Sequence, residues 1–338
     1  MPTRQLPARR AALALVAPLA LLAACQDGPL AAAPRGPAGG AAAARGAAEP
    51  PDTKQAPGTP GGAGPGGLFN AGRILYVDGG STHEVHSMNP DGGADKRLTW
   101  GTSASSPKWS PDYTKIAFAA SEGDGGGGVY VMNADGTGLK QITKTGSFTQ
   151  SPSWSPDGTR LVFTASVAGA SDGEVFFVNA DGTQLQRLTY EKSDESEPVF
   201  SKDGKRVVFA STRQNATFQH DLWSVALDGS GVVRMTQTPD DELSPAFSPD
   251  GTQLAWITRG AAPAVIVAGS FGARPKPVLV GSAYRSVTWS RDAKYLAFQM
   301  IGGPASGTVV QKLELWANKP PVTVSAPSTT ALAPNWAY

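Results

Sequence analysis

The chain has 338 residues, with 29 basic and 28 acidic side chains for a formal net charge of +1; this near-neutral balance excludes the basic footprint that nucleic acid or an anionic membrane surface selects. Gly (40) and Pro (28) make up about a fifth of it, a composition that fits a turn-rich all-β domain joined to a low-complexity segment. The single cysteine, Cys25, excludes an intramolecular disulfide.

Residues 1–24 read as a leader. Arg4, Arg9 and Arg10 form a basic start, and the fourteen uncharged residues Ala11 to Ala24 that follow are too short to span a membrane as a helix but suit a signal-peptide core. The run ends Leu22-Ala23-Ala24-Cys25, which resembles a bacterial lipobox, and the resemblance implies that Cys25 is lipidated and becomes the first residue of the mature chain. Gln26 resembles the outer-membrane sorting pattern, so the expected location is exported and lipid-anchored, facing the periplasm. Loss of the three leader arginines leaves 26 basic and 28 acidic residues, a net charge of −2.

Residues 25–68 carry the lipidated cysteine and then little except Ala, Gly and Pro, as in Gly61-Gly62-Ala63-Gly64-Pro65-Gly66-Gly67. Such a stretch buries too little apolar surface to offset its ordering entropy and is expected to be a disordered tether, with a mean span of about 35 Å and a taut limit of about 140 Å.

From residue 69 to 338 a repeat dominates. An aromatic residue followed by a Ser-x-Asp turn recurs at Trp109, Trp154, Phe200, Phe247 and Trp289, at spacings of 45, 46, 47 and 42. A second aromatic follows nine residues after each: Phe118, Phe163, Phe209, Trp256 and Phe298. Short β-branched and aromatic runs such as Arg160-Leu161-Val162-Phe163 predict strands. In the Pro-Asp-Gly turns between them Pro presets φ, Asp caps local amides and Gly accepts positive φ. A third strand (Val175 to Val178) runs through Asn179-Ala180-Asp181-Gly182 into a fourth, marked by Arg187-Leu188-Thr189. Four strands per unit of about 45 residues is the signature of propeller blades. Arg73 to Tyr76 starts as a second strand without a first, and the C-terminus around Trp336 is a first strand without its turn. The two fragments predict a six-bladed β-propeller closed by pairing of its N- and C-terminal strands, with no exposed sheet edge left over.

These residues resemble the propeller repeat of TolB, and similar repeats form the propellers of prolyl-oligopeptidase and dipeptidyl-peptidase families. The resemblance covers residues 69 to 338 and implies an envelope protein that binds a protein or peptidoglycan-associated partner through its channel mouth, as a monomer. The peptidases pair their propeller with an α/β-hydrolase domain, and no Gly-x-Ser-x-Gly elbow stands in this chain.

Candidate site residues follow from topology. Asp112, Asp157, Asp203, Asp250 and Asp292 read as turn-stabilising. His83, His86 and His220 are the only histidines, and the His-x-x-His spacing sends the first two to opposite faces of an extended chain. Loops from strand four to the next blade rim the channel and share a face with the loops between strands two and three. Two rim loops are acidic, Asp194, Glu195 and Glu197 in one and Asp240, Asp241 and Glu242 in the next, with Gln150 and Arg285 in comparable places. Such carboxylates suit a cationic group of a protein partner, or Ca²⁺ at Glu197, Asp240 and Asp241; no other cofactor is expected. A non-catalytic binding module is the leading reading, and a glycan-active hydrolase or lyase using a rim carboxylate pair is the alternative. Two carboxylates facing each other across a deep pocket, one strongly desolvated, would mark the enzyme; scattered charges at a mouth would mark binding.

Overall fold

The structure is a computed structural model that describes residues 72–78, 82–89, 91–121, 127–144, 149–167, 172–214, 218–301, 308–317, 319–324 and 332–336. The leader, Cys25 and the tether lie outside the described residues. Those described form six antiparallel four-stranded sheets. Blade one joins Leu332–Trp336 to Ile74–Val77, Val85–Met88 and Lys96–Arg97. Blades two, three and four begin with the inner strands Ala104–Trp109, Thr149–Trp154 and Glu195–Phe200, and end with Lys140–Gln141, Gln186–Arg187 and Val233–Arg234. Blade five runs from Asp241–Phe247 to Ala273–Val280, and blade six from Ala283–Trp289 to Val322–Thr323.

The ring closes as the two terminal fragments require. Ile74 pairs with Trp336, Leu75 with Asn335 and Val77 with Leu332. The strand Leu332–Trp336 also touches the inner strands of blades two and six, so the six inner strands contact one another in cyclic order. Asn335 Oδ1 accepts a hydrogen bond from the Trp109 amide at 2.7 Å, tying blade one to blade two.

The repeat aromatics are core. Phe118, Phe163, Phe209, Trp256 and Phe298 are among the largest fully buried side chains, each in a cluster that joins its own sheet to the preceding blade. The turn aspartates act locally. Ser155 Oγ donates to Asp157 Oδ1 at 2.6 Å, and Asp157 also takes the Thr159 amide and hydroxyl at 3.0 and 2.8 Å. Those hydrogen bonds hold its carboxyl down at about 2. The same Ser–Asp contact recurs at Ser110, Ser201, Ser248 and Ser290.

Candidate functional site

A repeated irregularity shapes the channel. Ser106, Ser151, Glu197 and Ser244 each precede a proline in an inner strand and hold φ near 50° (50, 53, 53 and 55). Pairing with the second strand shifts register at each of these positions. Proline has no amide hydrogen to give the ladder, so the strand bulges there. All four bulged residues line the waist of the channel. Glu197 spans two blades at this level: the Ser244 hydroxyl donates to its Oε1 at 2.8 Å, and the Ser244 amide donates to Oε2 at 2.5 Å.

Above the waist the channel opens into a cavity of about 660 Å³ whose walls include Gln150, Asp194, Glu197, Asp241 and Arg285, with His83, His220 and Arg259. His220 sits between two rim carboxylates from adjacent blades. Its Nδ1 lies 3.2 Å from Asp241 Oδ1 and its Nε2 3.7 Å from Asp194 Oδ2. Burial on its own would lower the imidazole pKa, but Asp194 and Asp241 outweigh it and hold it above the usual histidine range. In turn His220 holds Asp194 below the usual carboxylate range. Asp194 Oδ1 also accepts the Gly173 amide at 3.1 Å, so this cluster ties blade three to blade five. The mouth is thus acidic on the side of blades four and five and basic at Arg259 and Arg285.

The opposite mouth has another character. Its cavity of about 550 Å³ is walled by Lys108, Lys202 and Arg291 among Trp109, Trp154 and Trp289, with no carboxylate in the lining. Lys108 is half-buried and lines both this cavity and the waist. Burial lowers its ammonium pKa, against the opposing pull of Glu197.

Of the rim residues expected from sequence, Gln150, Asp194, Glu197, Asp241 and Arg285 line one cavity. Three do not. Glu195 and Glu242 are each 1% exposed, packed in the seams between blades, and Asp240 lines a separate cleft beside blade five. Successive residues of a strand point to opposite faces, so neighbours of rim carboxylates are carried away from the bore. Glu197, Asp240 and Asp241 therefore do not converge, and they do not fit a Ca²⁺ ion needing six or more oxygen ligands. Among the described residues no group of three or more His, Cys, Asp or Glu is arranged to hold a metal ion. His220, which nothing in its local sequence marks as a rim residue, is the one that joins the mouth carboxylates. Its place immediately before the third strand Asp221–Ala226 puts it in a loop of the same face.

Buried carboxylates in the seams were not foreseen. Glu84, Glu174 and Asp221, at or just before third strands, are 0%, 4% and 0% exposed. Each is paired with an arginine of its own fourth strand: Arg97 at 3.0 Å, Arg187, and Arg234 at 2.6 Å. Burial, followed by the Glu195 carboxylate, raises Glu174 well above the usual range despite Arg187. Burial, followed by Asp221, raises Glu242 to about 7.

Six blades around a polar bore, with loop faces that present charge at both ends, define a six-bladed β-propeller built to display a binding surface. Residues 63–300 match the TolB beta propeller domain, and the chain belongs to that family. TolB from Acinetobacter baumannii has a similar structure, with a TM-score of 0.69 and 21% identity over 79% of this chain. This chain spans 66% of that protein, just under two thirds of its length. The putative TolB from Agrobacterium tumefaciens gives a TM-score of 0.54 and 21% identity, covering 61% of this chain and 77% of its own. Hydrazine synthase from Kuenenia stuttgartiensis gives 0.67 and 14% identity, covering 79% of this chain and 46% of its own, so the fold also serves enzymes. No curated relative matches the chain.

Proposed function

We propose that the protein is a non-catalytic binding module of the bacterial cell envelope, exported and anchored through a lipidated Cys25. In this reading it captures a segment of an envelope protein at the mouth held by Asp194, His220 and Asp241. The observation that carries the reading is what stands on the same face as that mouth. Trp100, Tyr190 and Phe218 are 68%, 71% and 82% exposed, and all three stand on loops of the mouth face. Exposed aromatics on the same loop face as a charged opening are the composition of a protein-recognition surface. Arg97 and Arg187 hold two of them in place, with guanidinium carbons 5.6 and 4.6 Å from the ring centroids of Trp100 and Tyr190. The charges support binding over chemistry as well. Asp194 is held ionised, whereas the carboxyls with raised pKa, Glu174 and Glu242, sit in blade seams and not in the bore.

Crosslinking in native membranes, followed by mass spectrometry, tests this directly. A single envelope protein is expected to crosslink from the mouth face, and the Trp100→Ala, Tyr190→Ala double variant should lose that product at least tenfold. Equal crosslinking by the variant, or crosslinks confined to the other face, would remove the assignment. Intact mass of membrane-extracted protein tests the anchor: a mature chain beginning at Cys25 without added lipid ends it.

A further inference from the structure

Blade four shows how this fold accommodates a buried carboxylate. Ser211 Oγ donates to Glu195 Oε1 at 2.9 Å and Arg213 Nη2 donates to the same oxygen at 3.1 Å. The Arg213 guanidinium also lies over Phe209 and Trp223, 5.2 and 5.3 Å from the ring centroids. Glu242 holds the same register in blade five, since Glu195 pairs with Ser211 and Glu242 with Thr258. The serine and the arginine are gone, and Thr236, Thr238 and the Trp256 indole stand about the carboxyl instead. Gly260 stands where blade four has Arg213, and Thr258 donates its hydroxyl instead to the Ala262 carbonyl at 3.4 Å. Glu242 is 1% exposed; its Oε2, like that of Glu195, has no hydrogen-bond partner, but no lysine or arginine lines the space around it. Nε1 of Trp256, which takes the place of Phe209, is buried without one too.

A second replacement opens space beside this carboxyl. In blade four Asp221, Arg234 and Thr236 fill the outer part of the sheet face, with Arg234 bonded both to Asp221 at 2.6 Å and to the Thr236 carbonyl at 3.0 Å. Strand pairing puts Ala264, Pro277 and Val280 at the corresponding places of blade five, where an added residue also shifts the register of the fourth strand. Loss of all three polar side chains leaves a cleft of about 520 Å³ lined by Ala264, Pro277 and Val280 with Trp256, Ile266 and Glu242. Asp240 adds a second carboxylate to the lining, and no lysine or arginine joins it.

We propose that this cleft beside blade five binds a small organic cation with an apolar body, its ammonium, amidinium or guanidinium group on Glu242 and its hydrophobic part against Trp256. The ligand does for Glu242 what Arg213 does for Glu195: it neutralises a carboxylate that the blade has left without a cation and adds a cation–π contact. The volume lies in the range of small-molecule sites, roughly 300–1,000 Å³, and leaves room for a ring as well as the charged head. The site is separate from the channel and independent of the partner proposed for it.

The test uses calorimetric titration of the full chain with benzamidinium chloride at pH 8. Saturable one-to-one binding is expected. Neutral benzamide should bind at least tenfold more weakly, and so should benzamidinium to the Glu242→Gln variant, because each removes one member of the charge pair. Ala264→Phe fills the cleft while leaving Glu242 in place, and it should abolish binding in a chain whose melting temperature shows it folded. Affinity for benzamidinium should fall as pH drops through about 7, where Glu242 takes up its proton. The proposal fails if benzamide binds as well as benzamidinium, if neither variant weakens binding, or if nothing saturates by about 10 mM. Equal affinity for guanidinium chloride also overturns it, since the site would then read charge alone, without the apolar body.

Discussion

Ala293 holds φ at 56° in the turn where blades three, four and five place Gly158, Gly204 and Gly251 at 69°, 66° and 74°. The turn is otherwise the same: Ala293 donates its amide to the Ser290 carbonyl at 3.0 Å, as Gly158 does to that of Ser155 at 2.9 Å. An L-residue with a Cβ pays roughly 1 kcal/mol for this left-handed backbone, so Ala293→Gly is expected to raise the melting temperature by about 2 °C, and Gly158→Ala to lower it similarly. Calorimetry of both variants checks the pair. An unchanged or lower melting temperature for Ala293→Gly would show that the strain is not felt there. Larger effects belong to the wedge aromatics. Phe163 is fully buried, and Phe163→Ala should cost about 3–5 kcal/mol in denaturant titration, because no neighbour in a close-packed seam collapses into the space.

The strand Leu332–Trp336 is the element on which closure depends. It covers the inner edge of Ile74–Val77 and supplies Asn335 to the Trp109 amide. Deleting residues 332–338 leaves a four-residue strand of wholly buried pattern with an unpaired edge, which templates association with other chains. The truncated protein is therefore expected to elute as oligomers and to melt at lower temperature; a monomer with unchanged melting would mean that the ring does not need its clasp. This closure was legible in the sequence because it is a matter of counting: five full units, and two fragments that lack complementary strands. The mouth was legible only in part. Loop class identified Asp194, Asp241 and Arg285, but reading whole acidic runs as rim ignored the alternation that buries Glu195 and Glu242. His220 was hidden because its contact with Asp241 crosses between blades, and the Arg–carboxylate pairs because they depend on the register of third and fourth strands within a blade; local sequence encodes neither. The cleft of blade five was hidden for the same reason. Gly260, Ala264 and Pro277 look unremarkable until pairing aligns them with Arg213, Asp221 and Arg234.

Across the whole molecule, two adjacent seams carry a carboxylate beside a carboxylate: Glu174 with Glu195 between blades three and four, and Glu242 with Asp221 between blades four and five. This arrangement fixes how stability depends on pH. Glu174 and Glu242 have folded pKa values raised above those of the unfolded chain, Glu242 to about 7, so the folded state binds more protons between about pH 4 and pH 7. Their stabilising contribution is complete below the unfolded value and is lost as pH rises through the folded one. His220 acts in the same direction, since its raised pKa favours the folded state at low pH and that advantage disappears as pH rises through it. The turn aspartates oppose them only in acid. Asp157, at about 2, gives stability that is present above the unfolded carboxylate range and lost as pH falls toward its folded value. The two trends leave a maximum near pH 5, on the acid side of neutrality, with a decline from pH 6 to 8. Melting curves across that range check the shape, and Glu174→Gln with Glu242→Gln should flatten the alkaline limb while leaving the acid limb in place. A melting temperature that climbs from pH 5 to 8 in the parent chain would mean that these seams hold their carboxyls ionised, each with a cation close enough to offset its burial. For Glu242 that cation would have to come from outside the chain, so the pH profile with and without benzamidinium links seam to cleft: ligand should lift the alkaline limb and leave the acid limb where it was.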